Sequence, residues 1–396
     1  MKKQLLFMAI AGLFTSMASA ADLYVRDLGA GGAYPTISAA ITAAVDGDRI
    51  IIRPKAANLP YVESLTIDKS LSFVSETNFA KYLVQGTVFI VPTAGRVITI
   101  NNMNLSSIFS VSAATTGGRT TVNVFNSTLG ANVDAAKANT SLNMSGCVVT
   151  TGIAMTHGRL TANRCESITA SGTTIESSQS ADGIEIIANL LVGGGISINE
   201  KNYSIRVLNN FCYNYGMAVQ GIKTGTTNEI RNNVLNEGTY SALYFDLATG
   251  SQATFSVLNN ILTTSTTLTN YAEVHNNNTG GATVYAMNNA SASAFTTIGT
   301  AVATGNIGGL STLAFSSSTG TVSGSSAIIN GGTADDDYAD IDLTRNDIGN
   351  AGGSDSWSNY WPTTPGNKPQ VNYLNTPRRI YTSTTEMNAT GSGHSK

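Results

Sequence analysis

The sequence predicts an all-β protein: a single-stranded right-handed parallel β-helix with a short N-terminal capping helix and an irregular C-terminal tail. Three observations carry this. A phrase built on an Asn pair returns as VITINNM (97–103), IRVLNNF (205–211), NEIRNNV (228–234), FSVLNNI (255–261) and VYAMNNA (284–290), the last four starting 23, 27 and 29 residues apart. A short strand, a polar bend and a fresh apolar run at that period make one coil of a solenoid. Only 12% of residues are charged while 42% are apolar, a balance of stacked β-structure with uncharged polar turns rather than of a disordered chain. All eight prolines lie at or before Pro92 or at or after Pro362, and a backbone ladder that uses every N–H excludes proline in this way.

Taken in order, residues 1–20 read as a signal peptide. Lys2 and Lys3 precede the apolar run Leu5–Phe14, and Ala18-Ser19-Ala20 gives a small-residue exit. The run is too short to span a bilayer, which takes about 20 apolar residues. The expected location is therefore exported: extracellular or at the cell surface, with the periplasm as the alternative. Removing Lys2 and Lys3 leaves 20 basic against 25 acidic residues, which argues against nucleic acid or anionic lipid as partner.

Residues 21–76 form the N-terminal cap and first coils. Tyr24–Arg26 reads as a first strand, and Ile37, Ala40, Ile41, Ala44 and Val45 recur at helical spacing behind an N-cap at Thr36. Such a helix would cover the open apolar end of the first coil. Three short β runs follow at 49–53, 65–67 and 71–74. The stretch YPTISAAITAAVDGDRIIIRP, followed by YVESLTIDKSLSFVSE, resembles the opening of right-handed parallel β-helix proteins of the pectate-lyase-like superfamily over Tyr34–Glu76. The resemblance departs at Pro54-Lys55-Ala56-Ala57-Asn58, where a Pro-Gly turn is expected, and it implies fold rather than activity.

Residues 77–353 are expected to be the β-helix proper. Placing Asn163, Asn189, Asn210, Asn233 and Asn260 in one column puts Leu160, Ile186, Val207, Ile230 and Val257 in an inward aliphatic column. Stacked Asn at a bend tolerates left-handed backbone angles and bonds to the coils on either side, so this column is read as an internal ladder. Cys165 and Cys212 align with Leu191, Leu235 and Leu262, with Cys147 set one coil earlier, and all three are expected as buried thiols. Arg159, Glu185, Arg206 and Glu229 stack with alternating sign, the pattern of a surface ion ladder.

Near the end, ADDDYADIDLTRNDIGNAGG crowds Asp335, Asp337, Asp340 and Asp342, the candidates for calcium, the one cofactor considered. The segment also resembles the DxDxxRxDIG-type ending that closes the last coil of secreted β-helix proteins, with Asn350-Ala351 in place of the usual Ala-Tyr. Residues 354–396, with both tryptophans and four prolines, form an irregular tail that cannot continue the ladder and is expected to pack across the last coil or back along the side.

Ionisable groups are sparse. Between residues 101 and 330 the only aspartates are Asp134, Asp182 and Asp246. Catalysis on a polysaccharide needs converging carboxylates or a carboxylate beside a base, and the available candidates are Asp182, Glu185, Arg206 and Asp246. The histidines His157, His275 and His394 share no motif, and no Walker loop, zinc spacing or serine elbow is present. Tyr213, Tyr215, Tyr240 and Tyr244 fall just after the Asn bends, with Phe245 beside them, and aromatic faces flanked by polar groups suit flat sugar rings. The expectation is a secreted or surface-associated protein that binds an extended polysaccharide or cell-surface glycan or serves as a cell-envelope scaffold. The alternative is a polysaccharide lyase or glycoside hydrolase.

Overall fold

The computed structural model describes residues 20–248, 250, 252–264, 270–278, 281–361, 370–375, 386 and 389–394. The expected leader lies, but for Ala20, outside them. The chain is mostly β and winds three parallel sheets into a solenoid of about 12 turns. Sheet A has 13 strands, from Asp22–Val25 to Ala301–Thr304; sheet B has 10, from Tyr61–Val62 to Ile261–Thr263; sheet C has 11, from Leu65–Ile67 to Thr297–Gly299. One coil supplies one strand to each, as in Ile205–Leu208, Phe211–Tyr213 and Met217–Gly221.

Alternation along each strand fills the interior. Ile205, Val207, Cys212, Met217 and Val219 point inward and are buried, whereas Arg206 and Ala218 face out. The aliphatic column holds: Leu160, Ile186, Val207, Ile230 and Val257 are paired in register and all fully buried. Burying one such side chain is worth roughly 1.5–3 kcal/mol. Helix α1 (Ile37–Ala43) closes the N-terminal end. Thr36 Oγ1 accepts from the Ala39 amide at 3.1 Å, and Glu63 takes the Ile37 and Ser38 amides at 2.8 and 2.9 Å, which satisfies the first turn. Because the helix stops at Ala43, Val45 leaves the apolar stripe and stands 55% exposed, contrary to the helical spacing.

The bend between sheets A and B carries the Asn ladder. Asn163, Asn189, Asn210, Asn233, Asn260 and Asn289 are completely buried, and each Nδ2 donates to the next coil's Oδ1 at 2.9–3.0 Å. The same Oδ1 accepts the preceding ladder residue's backbone amide, so no polar atom of the column is left unmade. The left-handed residue, however, is the one before the ladder position: Ala162, Ala188, Asn209, Asn232, Asn259 and Asn288 have φ of 52–57°. The two members of each Asn pair therefore do different work, the first turning the chain and the second linking coils.

Cys147 is also displaced from its expected column. Val148 pairs with Arg164, which sets Cys147 opposite Asn163 and leaves Val149 opposite Cys165. Cys147 thus occupies the ladder position, and its Sγ approaches the Val124 and Ser145 carbonyls at 3.4 and 3.5 Å, as an Asn Nδ2 does elsewhere. All three cysteines are buried and free.

Parallel pairing ends at Thr304 and an isolated Ala290–Ile307 bridge, well short of residue 353. The chain then forms an antiparallel hairpin (Ala314–Ser316 with Thr321–Ser323) and folds back along the A–B bend. It covers an outward apolar row, Leu190, Phe211, Val234 and Ile261, with Ile348 and Trp357. Asn209 donates to the Asn350 and Gly352 carbonyls, Asn232 and Asn259 both donate to Asn346 Oδ1, and Trp361 Nε1 reaches the Ala188 carbonyl at 2.7 Å. The DxDxxRxDIG-type segment is therefore a strap along the side and not a plug on the last coil. The reason is chemical: the first Asn of each pair turns its amide outward, and the strap supplies the acceptors.

Candidate functional site: a tyrosine-lined cleft on sheet C

Outward residues of sheet C form one column in register, Thr169, Ser197, Ala218, Tyr244 and His275. Three small side chains followed by two rings leave a hollow above the small ones. Turns entering the sheet deepen it: a Cβ on Gly195 or Gly216 would lie 2.2 or 2.3 Å from the next coil's carbonyl, so these turns pack backbone on backbone. The resulting cleft has a volume of about 550 Å³ and runs across successive coils.

Tyrosines wall it. Tyr215 is 44% and Tyr240 61% exposed, and Tyr271 meets Tyr240 edge-to-face at 5.5 Å. Glu237 holds the wall in place, its Oε1 accepting from the Thr239 and Tyr240 amides at 2.7 and 3.2 Å. His275 stands edge-on to Tyr244 at 5.0 Å, and its Nδ1 lies 3.4 Å from Ser241 Oγ. Desolvation lowers the His275 pKa, opposed by Asp246. Tyr244 Oη accepts from Asn277 Nδ2 at 3.3 Å.

The cleft brings together Tyr215, Tyr240 and Tyr244. Tyr213 is not part of it: it faces out from sheet B, stacked 6.5 Å from Phe211 and packed against the strap-covered row. Phe245 points into the core against Phe255. The sequence reading leaves out Tyr271 and Ser241 and takes His275 only as a histidine without a motif, because Tyr271 and His275 lie well beyond the preceding pair Asn259-Asn260. The register of Tyr244 with His275 is the signal that finds them.

The four residues considered for catalysis do not converge. Glu185 bridges Arg159 and Arg206, the latter at 2.5 Å, and Arg206 continues to Glu229 at 3.3 Å, so both belong to the ion ladder on sheet A. Asp182 is exposed, with its backbone carbonyl 3.2 Å from His157 Nε2. Asp246 sits beyond the cleft floor, bonded to Asn277. His157 itself is buried over Tyr203, its pKa lowered to about 4 mainly by desolvation.

Among the described residues, no three His, Cys, Asp or Glu side chains gather as a metal site. Asp335 accepts the Asp337 amide, Asp340 the Asp347 and Gly353 amides, and Asp342 the Thr344 amide and hydroxyl. Arg345 donates to the Gly332 carbonyl at 2.6 Å. These carboxylates fold the strap.

Comparison of the chain with protein-family models, curated proteins and solved structures returns no match. Among the described residues no helix is long and apolar enough to cross a membrane.

Proposed function

We propose that this chain is an exported, surface-associated β-solenoid that binds an extended glycan along the sheet-C cleft. The observation that carries the reading is the wall formed by Tyr215, Tyr240, Tyr244 and Tyr271 around a hollow of about 550 Å³ that continues from coil to coil. Flat aromatic faces beside hydroxyl and carboxylate groups match the alternating apolar faces and polar edges of sugar rings. The leader-like residues 1–20 support export.

Binding to a panel of soluble polysaccharides, read by affinity electrophoresis and calorimetry, tests it. Tyr215→Ala and Tyr240→Ala are each expected to weaken binding at least about tenfold with unchanged circular dichroism, while Tyr213→Ala leaves it intact. Absence of binding across the panel sinks the proposal. Release of reducing ends or unsaturated uronates would move the chain to the lyase or hydrolase class.

A further inference from the structure

Charge around the cleft is one-sided. Among the described residues its lining contains a single carboxylate, Glu237, which is 6% exposed, and neither lysine nor arginine. Two more carboxylates stand at its margins. Glu166 lies against Gly193 at the turn beside Gly194 and Gly195, and Asp246 follows the Tyr244 strand, bonded to Asn277. Lys201 and Lys223, four and five residues beyond Ser197 and Ala218, are not among its lining residues, and Lys223 Nζ donates to Gln179 Oε1 at 3.0 Å. Desolvation lowers the His275 pKa, which favours its uncharged form.

Resting on the glycan reading above, we propose that the cleft selects uncharged glycans and rejects acidic ones, with Glu237 as the discriminating residue. A uronate or sulfate laid over the tyrosines would lose water without gaining a cation or a donor of opposite charge, and it would face Glu237 from within the same hollow. Rejection of this kind is specificity by an unfavourable contact added to a sequence-tolerant aromatic platform. A neutral hexose incurs no such cost, and its hydroxyls can donate to the Glu237 carboxylate and exchange bonds with Ser197 and Thr169.

The experiment compares a polyuronate with the same polymer after complete methyl esterification, beside neutral mannan and glucan oligosaccharides, by calorimetry at low and moderate salt. The expected result is binding of at least one uncharged probe and at least about tenfold weaker binding of the free polyuronate, the gap narrowing as salt screens the repulsion. Glu237→Gln keeps an acceptor for the Thr239 and Tyr240 amides and should narrow the gap further. Asp246→Asn at the margin serves if that loop fails to fold. Equal or tighter binding of the polyuronate overturns the charge selection and leaves the glycan reading standing. Failure of every probe, charged or not, overturns the glycan reading and this inference with it.

Discussion

Cys147 and Asn163 stand one coil apart in the same buried column, and Asn163 Oδ1 accepts the Cys147 backbone amide at 3.0 Å. The thiol takes the place of a side-chain amide, with the carbonyls of Val124 and Ser145 within reach of its Sγ. Cys165, by contrast, sits in an aliphatic column with Leu191.

The same substitution should therefore read differently at the two sites. Cys147→Ser retains a donor where two carbonyls wait, and one coil earlier Ser127 already donates to the Phe125 carbonyl at 2.8 Å. It is expected to change stability by less than about 1 kcal/mol, whereas Cys165→Ser buries a hydroxyl among aliphatics at about 1–3 kcal/mol. Urea denaturation of both variants decides it, and equal costs would remove the distinction between the columns. Burial pushes the Cys147 thiol up to about 11, so the native protein should resist thiol reagents until unfolded.

The strap is fastened at Arg231, which is 1% exposed. Its guanidinium meets Glu229 at 3.0 Å and Asp355 at 3.5 Å and lies over the Tyr338 ring. Arg231→Ala leaves two carboxylates without this partner and is expected to cost about 3–5 kcal/mol. Protease cleavage between residues 330 and 361 should appear before the coils unfold, with a red shift of tryptophan emission as Trp357 and Trp361 separate from Phe211 and Ala188. An unchanged cleavage pattern would mean that the strap's apolar contacts suffice.

Glu200 and His157 give stability an opposed pH response. Glu200 is fully buried, and burial, with Glu176 nearby, raises its pKa from 4.5 to about 7. The fold therefore holds a proton that the unfolded chain releases, and this contribution is lost as pH rises from about 4.5 through about 7. His157 works the other way: its pKa falls from 6.5 to about 4, so stability is complete above 6.5 and declines as pH drops towards 4. Glu200→Gln should gain on the order of 2 kcal/mol over the parent at pH 8 and keep only the acid-side decline. Superimposable stability profiles for the two proteins would refute the assignment.

Much of the coil was legible in the sequence because one coil repeats its chemistry. The aliphatic column, the Asn ladder and the Arg159–Glu185–Arg206–Glu229 series each follow from a period and an alternation, and the register pairs all of them as read. What was not legible depends on contacts between distant segments. The outward Asn of each pair looks identical to the inward one in sequence, and only the strap, more than a hundred residues on from Asn209 and Asn232, separates their roles. Of the candidate site, Tyr215, Tyr240 and Tyr244 could be named but Tyr271 could not, and Tyr213 could not be told from Tyr215. Two residues along a strand end decide whether a ring faces the strap or the cleft.

The ladder carries no address. Each amide receives from one neighbour and gives to the next in the same sense, so Asn163 would donate to Asn210 as readily as to Asn189. Whole coils can therefore be gained or lost without a new hydrogen-bond scheme wherever nothing else counts them. The strap does count them, reaching Ala188, Asn209, Asn232 and Asn259 at fixed intervals. Length variation in such a chain should accumulate before Ala188, while the coils beyond it are held to a single number by the ruler laid along their side.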